Sequence, residues 1–596
     1  MVSTIGMKRY VVPNSFDPIQ NGHLALLKEI KEVFGNDSEI IVAVEEDGEK
    51  NPVFSVKERM KMIKKTISAH PELQNVKVES FTGSQAGFAY ENAAGLIRGV
   101  KDQDLGYDEN SLETMECDEL GVRLIPIEVD SNMAGIRSEY ITKYQKAQMS
   151  IERIVHPYVK QCVEARISGQ YILGITGSSG VGKTTICKEL QGIGRERGIP
   201  VYHFNMDDVT HKIYDGTYPE PRYEIIRDEI GKEFGEHVRN PDGTINRKRL
   251  GETVFTDSEK MDLLNDIMGT PIMERLRREI YRKKGIIIIE CALAAEFDLV
   301  GLTNNNIILV YTNDESQERR MKERGFDAGQ IKRRLESQYT TELKITAIQN
   351  KISEYNYGKI YPIDNSDDKP QDFNKLFTAL VDDLDQYGQL RFISAWYGIG
   401  ADGTPHEVYS KLVEVYSQPN RFFHDMTHIV DGLNKLEKVT PLLEKPMPTI
   451  FAWFGHDYMK NDQSKIDEER SAEAWSNVAR YADVKPEICD YVMDLVLATN
   501  HHDPKQVKKN DEGYIIDVDF SILGESPAKF DQYEFEIRKD YSWVDDDVYR
   551  PRRLGFLKRL LPPERPQIYC TDFFRDLYEE TARANITRAI ENLQSP

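Results

Sequence analysis

The sequence has few of the features that would place a protein outside the cytoplasm. It contains six cysteines, and no two have CxxC spacing. Neither a disulfide framework nor a thiolate zinc site is therefore indicated. Residues 1–10 lack the apolar core of a signal peptide, and no later run approaches the ~20 apolar residues of a membrane span. We expect a cytoplasmic protein with no membrane partner.

Positive charge is also scarce. The chain has 77 Lys and Arg residues against 99 Asp and Glu residues, which gives a formal net charge of -22. Nucleic-acid affinity depends on clustered Lys and Arg, so a nucleic-acid partner is not expected. Small anionic ligands are compatible with this composition, because loops and helix N-termini bind them locally.

The length of 596 residues exceeds what one hydrophobic core supports. Short apolar runs such as Arg9–Pro13 and Glu39–Val44 alternate with helical patterns such as Val56–Ala69, which predicts βα units and a parallel sheet. A second series of this kind begins at Tyr171–Thr176. After about Gln386 the pattern changes to longer helical periodicities. We predict α/β domains over residues 1–165 and 166–387 and an all-α domain over residues 388–596.

A phosphate-binding loop opens the second predicted domain. Residues 177–184 fit GxxxxGK[ST] and directly follow a predicted strand. Glycines let backbone N–H groups surround a β-phosphate, Lys183 supplies positive charge, and Thr184 offers a hydroxyl to Mg²⁺. The motif predicts a kinase that binds ATP and Mg²⁺. The predicted nucleotide-binding residues are Gly177, Ser178, Ser179, Gly180, Val181, Gly182, Lys183, Thr184 and Thr185.

Further motifs follow this loop in a fixed order. They are Asn205 to Asp208 with His211, Asp242 to Phe255, Glu290 to Glu296, Gln317 to Arg324, Arg334 to Gln338 and Asp364 to Ser366. In these motifs residues 171–385 resemble the dephospho-coenzyme A kinases, a family of P-loop kinases with a parallel sheet. The resemblance implies that Asp207 orients the acceptor hydroxyl. Lys183, Arg320 and Arg334 are the cations expected to neutralise charge during phosphoryl transfer.

Three positions depart from the kinase pattern. Ala292 replaces a proline, Thr270 stands where the family has histidine, and Asn205 replaces an acid. These departures concern the positioning of the acceptor and leave the reaction class unchanged.

The first predicted domain carries Ser15 to His23 between a strand and a helix. That position places His23 at a helix N-terminus, where its imidazole and the backbone amides can meet a triphosphate. Residues 7–160 resemble the [HT]xGH nucleotidyltransferases, which have a Rossmann-like fold, and most closely phosphopantetheine adenylyltransferase. The resemblance extends through Lys50 to Arg59 and Leu96 to Lys101. It implies a pantetheine-side role for Lys50 and a phosphate-binding role for Arg98.

This chemistry needs charge stabilisation and no protein nucleophile. The expected catalytic donors are His23, Lys50 and Arg98, and the expected nucleotide-binding residues are Ser15, Phe16 and Ser138. Gln20 occupies the place of the family's first His or Thr. Residues 135–139 replace a serine-rich turn, in which Ser138 keeps one hydroxyl.

Half of the chain's twelve histidines lie after Gln386. Mixed imidazole and carboxylate ligands suit Mn²⁺, Fe or Zn²⁺. The order His428, His456-Asp457, Asp519 resembles the ligand series of the HD-domain phosphohydrolases. We expect a transition metal held by His428, His456, Asp457, His501 and Asp519. His424, His502 and Asp517 are further candidate ligands, and His424 shares a helix face with His428 if that segment is helical.

The order of the first two domains resembles the bifunctional coenzyme A synthases, here followed by an HD-like domain of open substrate. The expected partners are small molecules, namely ATP, phosphopantetheine and dephospho-coenzyme A; assembly into a homo-oligomer is left open. Two alternatives remain. One is a nicotinamide mononucleotide adenylyltransferase fused to a ribosylnicotinamide kinase, and the other is a nucleotide-binding regulator without full turnover.

Overall fold

The computed structural model describes residues 9–46, 52–100, 112–129, 138–147, 149–254, 257–367, 371–418, 420–460, 467–500, 510–561 and 565–594. The chain divides into two compact units, Met1–Gly194 with Pro200–Leu376 and Arg195–Ile199 with Phe377–Pro596. Among the described residues, no helix is long and apolar enough to cross a membrane.

The first unit contains two parallel sheets, of which one lies in the N-terminal region. Its strands, in chain order, are β1 Arg9–Asn14, β2 Glu39–Glu45, β3 Lys77–Phe81, β4 Gly95–Val100 and β5 Leu124–Glu128. They pair in the order β3-β2-β1-β4-β5. The central residues of β2, Ile40 to Val44, are all buried, as expected for a strand covered on both faces. The associated α-helices are Asn21–Phe34, Val56–Ile67, Gln85–Glu91, Leu112–Leu120, Ser138–Lys146 and Pro157–Val163, and the last continues as the π-helix Glu164–Ser168.

The second sheet follows in the same unit. Its strands are β6 Gln170–Thr176, β7 Val201–Asn205, β8 Gly285–Glu290, β9 Asn306–Tyr311 and β10 Lys359–Asp364, paired in parallel in the order β10-β9-β6-β8-β7. Strands β6 and β8 are buried along their whole length. The α-helices are Lys183–Glu196, whose last two residues belong to the second unit, Met206–Tyr214, Pro221–Phe234, Arg247–Val254, Ser258–Ile280, Asp314–Glu323, Ala328–Glu336 and Thr341–Tyr355. Helix Phe373–Leu384 follows and belongs to the second unit from Phe377 onward.

Each sheet places its candidate site at the carboxyl edge. In the first sheet the chain moves from β1 to β2 and β3 on one side and returns to β4 on the other. Ligands of such sheets bind in the crevice outside the carboxyl ends at this reversal. The loop after β1 carries Ser15, and the loop after β6 carries the P-loop. The predicted α/β class and parallel sheets are confirmed for both regions.

The second unit is helical, as predicted. Its α-helices are Gln389–Gly398, Pro405–Tyr416, Met426–Val439, Pro446–Gly455, Asp467–Tyr481, Pro486–Ala498, Asn510–Phe520, Pro527–Asp540, Asp546–Arg559 and Asp572–Gln594. The chain also forms short 3₁₀ helices at Pro71–Leu73, Glu236–Val238, Gly301–Thr303, Thr440–Leu442 and Ser521–Gly524.

Aromatic side chains fill the helical core, and two glycines admit them. A Cβ atom on Gly432 would lie 2.0 Å from the Trp453 ring, and one on Gly455 would lie 2.0 Å from the Trp475 ring. Both tryptophans are buried. These glycines therefore let adjacent helices approach closely around the apolar run that precedes His456.

Candidate functional site

His23 lies in the first turn of helix Asn21–Phe34, directly after the loop that follows β1. Its Nδ1 atom accepts a hydrogen bond from the backbone N–H of Gln20 at 3.3 Å. Burial lowers the pKa of this imidazole to about 4. The ring is therefore neutral at physiological pH. The hydrogen bond from Gln20 to Nδ1 favours the tautomer with its proton on Nε2, and Nδ2 of Asn14 lies 3.4 Å from that Nε2. Such a ring at a helix N-terminus can donate to an anionic oxygen without being charged.

The loop between β1 and this helix is rigidly held. Phe16 is fully buried at φ 49°. The guanidinium of Arg59 donates to the carbonyl oxygen of Ser15 at 2.5 Å. The carboxylate of Asp17 accepts hydrogen bonds from the backbone N–H groups of residues 53 and 54 at 2.6 and 2.9 Å. These contacts fix Ser15 and Phe16 against the segment that follows Lys50.

Arg98 lies on β4, and its side chain is 52% exposed. Its guanidinium forms an ion pair with Glu113. Lys50 lies outside the described residues, and so does the side chain of Ser138, whose backbone begins helix Ser138–Lys146.

The P-loop requires its glycines. Gly177, Gly180 and Gly182 have φ angles of 140°, 85° and 96°. A Cβ atom on Gly177 would lie 2.1 Å from the carbonyl oxygen of Val310, so a side chain is excluded there. Lys183 donates through Nζ to the carbonyl oxygens of residues 177 and 178 at 2.8 and 3.1 Å. Burial lowers the pKa of Lys183.

Side chains from later motifs hold Ser179 in place. The backbone N–H of Ser179 donates to Oε1 of Gln338 at 3.0 Å, and its carbonyl oxygen accepts from Nε2 of Gln317 at 2.7 Å. Both glutamines belong to the motifs that predicted the kinase. The structure therefore joins them to the phosphate loop.

The two predicted arginines differ in their contacts. Arg320 donates to the carbonyl oxygens of Val181 and Asn365 at 3.3 and 2.7 Å, so it lies against the P-loop. Arg334 is exposed on helix Ala328–Glu336, and its guanidinium lies 4.5 Å from the centre of the Phe326 ring.

Glu290 ends β8 beside the P-loop. Thr184 donates through Oγ1 to both carboxylate oxygens at 3.2 and 3.0 Å, and Nε2 of His203 lies 2.8 Å from Oε2. Burial opposes ionisation of Glu290, but the hydrogen bonds from His203 and Thr184 and the charge of Lys183 outweigh it and lower the pKa. A hydroxyl beside a carboxylate provides the oxygen ligands that Mg²⁺ prefers. The sequence did not identify His203, whose only signal was its place near the carboxyl end of a strand.

Asp207 lies exposed in the first turn of helix Met206–Tyr214, and the side chain of Asn205 caps this turn by accepting the N–H of Asp207 at 2.9 Å. Asp207 acts electrostatically on Lys183. One turn later, Nδ1 of His211 lies 3.3 Å from the guanidinium of Arg247. Burial first, and then the charge of Arg247, lower the pKa of His211. Two predicted acceptor motifs therefore meet beside the P-loop.

Lys344 is another residue that the sequence did not identify. It is completely buried, and its Nζ donates to the carbonyl oxygen of Ala292 at 2.7 Å and to Glu296 at 2.5 Å. Burial lowers its pKa, although Glu296 opposes this effect. Lys344 therefore fixes the segment after β8 in which Ala292 replaces the expected proline.

The second unit brings four of its five predicted metal ligands together. The Nε2 atoms of His428 and His456 lie 3.1 Å apart. Oδ1 of Asp519 lies 3.4 Å from the first and 3.8 Å from the second. Oδ2 of Asp457 lies 3.0 Å from Nε2 of His456. His501 and the further candidate His502 lie outside the described residues.

The surroundings of His456 suit a metal ligand. Its Nδ1 lies 2.7 Å from the carbonyl oxygen of Trp453, and donation there leaves Nε2 directed at the cluster. The Trp453 ring stacks on the imidazole with centroids 4.0 Å apart. Burial alone would lower the pKa of His456, but Asp457 and Asp519 raise it to about 9. His428, His456 and Asp519 therefore place ligand atoms within 4.8 Å of one another, Asp457 lies beside the two imidazoles, and a cation fits this set.

Of the further candidate ligands, His424 lies at the edge of this cluster, with its Nε2 4.0 Å from Oδ2 of Asp457, and Asp517 lies outside it. Helix Met426–Val439 begins after His424, so the condition under which His424 would share a helix face with His428 is not met. His424 instead lies 2.6 Å from Asp540 through Nδ1. Asp517 accepts hydrogen bonds from the backbone N–H groups and hydroxyl around Thr571, because residues two apart on a helix point to different faces.

Two family models match the chain. Residues 171–356 match the model described as Dephospho-CoA kinase, and residues 11–143 match the one described as Cytidylyltransferase-like. A dephospho-CoA kinase of Dehalococcoides mccartyi is 36% identical over 174 residues, which are 28% of this chain and 81% of that protein. A phosphopantetheine adenylyltransferase of Desulfitobacterium hafniense is 31% identical over 159 residues, which are 26% of this chain and 94% of that protein.

Among solved structures, NadR protein in complex with NAD and AMP-PNP is 12% identical, with 63% of this chain and 96% of that chain covered and a TM-score of 0.21. A likeness at that level carries no argument about this chain. The identity and coverage of the two sequence relatives show that the chain is a transferase that belongs to both the dephospho-CoA kinase and the phosphopantetheine adenylyltransferase families.

Proposed function

We propose that this protein makes coenzyme A in two consecutive steps. The first transfers an adenylyl group from ATP to 4′-phosphopantetheine and releases pyrophosphate. The second phosphorylates the 3′-hydroxyl of dephospho-coenzyme A with ATP. The observation that carries this proposal is the occurrence of the two families on one chain, since the product of one is the acceptor of the other. Neighbouring sites would raise the effective concentration of the intermediate.

In the first step a phosphate oxygen of 4′-phosphopantetheine attacks the α-phosphorus of ATP. The neutral imidazole of His23 donates to the triphosphate through Nε2–H, together with the amides of its helix N-terminus. We assign Ser15, Phe16 and Ser138 to the nucleotide. Lys50 and Arg98 supply positive charge on the side of the phosphopantetheine.

In the second step the loop from Gly177 to Thr185 binds the β- and γ-phosphates. Thr184 would hold Mg²⁺, whose charge helps to neutralise the transferring phosphoryl group. Asp207 orients the 3′-hydroxyl. Lys183, Arg320 and Arg334 neutralise the spreading charge; because Arg334 is exposed on its helix, its role requires that helix to close over the nucleotide.

Two variants separate the steps. With ATP, Mg²⁺ and 4′-phosphopantetheine, Lys183→Ala should stop at dephospho-coenzyme A. His23→Ala should make neither product, yet should phosphorylate added dephospho-coenzyme A. Lys188→Ala, an exposed position on the P-loop helix, and His237→Ala are the matched controls and should retain both steps. Persistence of both steps in both test variants would contradict the assignment.

Nicotinamide mononucleotide in place of phosphopantetheine should give no adenylylated product.

For the helical unit, we propose a transition-metal site of the HD phosphohydrolase type, with Mn²⁺, Fe or Zn²⁺ held by His428, His456, Asp457 and Asp519. His501 is proposed as a further ligand. The facing Nε2 atoms and the hydrogen bond from His456 to Trp453 support this proposal. A metal in this set would supply a bound hydroxide at neutral pH for attack on a phosphate ester or anhydride.

Metal analysis tests the helical site. The purified protein should contain about one equivalent of transition metal there, and Asp519→Asn should lose it. Asp517→Asn, two residues away on the same helix, should retain it because Asp517 contacts Thr571 instead. Full metal content in Asp519→Asn would contradict the assignment. Phosphate release from phosphomonoesters by the metal-loaded protein would identify a hydrolase, whereas metal without release would identify a ligand-sensing domain.

A further inference from the structure

A second candidate metal group lies inside the kinase region. One ligand atom each from Cys187, His203 and Glu290 lies within 4.8 Å of the others. Cys187 is fully buried, the Glu290 residue is 6% exposed, and the His203 side chain is 14% exposed. The three residues come from the P-loop helix and from strands β7 and β8.

The folding of the P-loop region brings these residues together. Cys187 follows Thr184 by three positions on helix Lys183–Glu196, so both lie on the same side of the helix. Thr184 already donates to Glu290, and His203 lies 2.8 Å from the same carboxylate. Parallel pairing of β7 with β8 sets Asn205 beside Glu290, which places His203 near the same edge.

The chemistry of this group differs from that of the Mg²⁺ site beside it. Mg²⁺ takes oxygen ligands and avoids sulfur, whereas thiolate and imidazole ligands suit Zn²⁺. Tetrahedral bonds of about 2.0 to 2.3 Å to sulfur, nitrogen and oxygen place ligand atoms roughly 3.3 to 3.8 Å apart, which a group confined within 4.8 Å can reach with small side-chain movements. The fourth position would be taken by water.

We propose that Cys187, His203 and Glu290 form an inhibitory site for a thiophilic divalent cation such as Zn²⁺ within the kinase region. Coordination replaces the thiol proton of Cys187, which passes to the buffer. It also takes the Glu290 carboxylate that now accepts the hydrogen bond of Thr184. Because Thr184 then loses the partner that orients its hydroxyl, Zn²⁺ binding lowers the rate of the kinase step and leaves adenylyl transfer unchanged.

Cobalt spectroscopy on the full-length protein tests the site directly. Co²⁺ bound by Cys187 should show a near-ultraviolet charge-transfer band from sulfur. The ligands proposed in the helical unit are imidazoles and carboxylates, so metal there gives no such band. Cys187→Ala should lose the band, whereas Cys291→Ser, which changes the cysteine next to Glu290 in sequence, should keep it. Absence of the band in the wild-type protein, or its loss only in Cys291→Ser, would overturn the proposal.

The kinase assay then tests the consequence. Dephospho-coenzyme A and excess MgATP are supplied, and free Zn²⁺ is set with a chelator buffer. Cys187→Ala should keep the basal rate and need on the order of 100-fold more Zn²⁺ for half-inhibition, since even second-shell losses weaken metal sites about 10- to 100-fold. If the smaller side chain lowers the basal rate, Cys187→Ser nearly restores the volume and should give the same shift. Equal Zn²⁺ sensitivity of the wild-type protein and both variants would overturn the proposal.

Discussion

Arg166 and Glu58 form an ion pair within the first unit, and each side chain is only 11% exposed. Arg166 lies in the π-helix Glu164–Ser168, immediately before the second sheet, and Glu58 lies in the first turn of helix Val56–Ile67. Glu58 also accepts the backbone N–H of Ser55 at 2.7 Å. The pair therefore ties the segment before the P-loop strand to the segment that packs against the Ser15 loop.

Removal of one partner of this pair should destabilise the first unit. We expect Arg166→Ala to lower the free energy of unfolding by about 3 kcal/mol, because a buried carboxylate is left without its counter-charge. Arg153→Ala, an exposed arginine in the preceding segment, should change it by less than about 0.5 kcal/mol. Denaturant unfolding of the two variants makes the comparison. Equal losses of unfolding free energy in the two variants would show that the Arg166–Glu58 ion pair adds nothing to the stability of the first unit.

Asp207 and Asp208 are adjacent exposed carboxylates that allow a matched test of the acceptor site. Asp207→Asn should lower the rate of dephospho-coenzyme A phosphorylation by about 100-fold, because the neutral amide orients the acceptor hydroxyl less firmly than the charged carboxylate does. Asp208→Asn keeps the same helix turn and should stay near the wild-type rate. Steady-state assays with added dephospho-coenzyme A measure both. A larger loss of rate in Asp208→Asn than in Asp207→Asn would show that Asp208, and not Asp207, orients the acceptor hydroxyl.

The neutral state of His23 predicts the pH dependence of the first step. Its pKa of about 4 lies below the usual value of 6.5, because burial disfavours the charged ring. The folded protein therefore keeps His23 neutral above about pH 5, and the stability that it contributes falls only as the pH drops below 6.5 towards 4. The rate of dephospho-coenzyme A formation should show no inflection from His23 between pH 6 and 8. An inflection of this rate near pH 6.5 that His23→Gln abolishes would contradict the neutral state of His23 in this pH range.

Glycine packing predicts opposite effects at two helical positions of the second unit. Gly432→Ala should destabilise this unit by about 1–3 kcal/mol, since the new Cβ would meet the buried Trp453 ring at 2.0 Å. Gly555→Ala places its Cβ in open space and should be neutral or stabilise by up to about 1 kcal/mol. Thermal unfolding of each variant supplies the measurement. A stabilising effect at Gly432 would show that the two helices are not packed as described.

The strands and the P-loop could be predicted because their signals are local. The β-branched run from Ile286 to Ile289 forms most of β8, and Gly177, Gly180 and Gly182 take the positive φ angles that the P-loop needs. The helix after β1 begins at Asn21, three residues before Leu24, where its apolar pattern starts, because His23 and Gln20 together cap its first turn.

The remaining site residues could not be predicted because they meet across long separations. His203 lies 87 positions from Glu290, and Lys344 lies 48 positions from Glu296. Neither has a local motif. In the helical unit, only the resemblance of the ligand order selected Asp519 over Asp517, because the residue type alone does not separate them. In the structure the helix geometry directs Asp519 to the histidines and Asp517 to Thr571. The choice between them depends on which face of the helix packs against the cluster.

Mass spectrometry of the products from ATP, Mg²⁺ and 4′-phosphopantetheine tests the central claim most directly. We predict that the wild-type protein alone converts 4′-phosphopantetheine to coenzyme A, with dephospho-coenzyme A as the transient intermediate. Dephospho-coenzyme A that accumulates without further phosphorylation would contradict the second step. The absence of both products would contradict the proposed function as a whole.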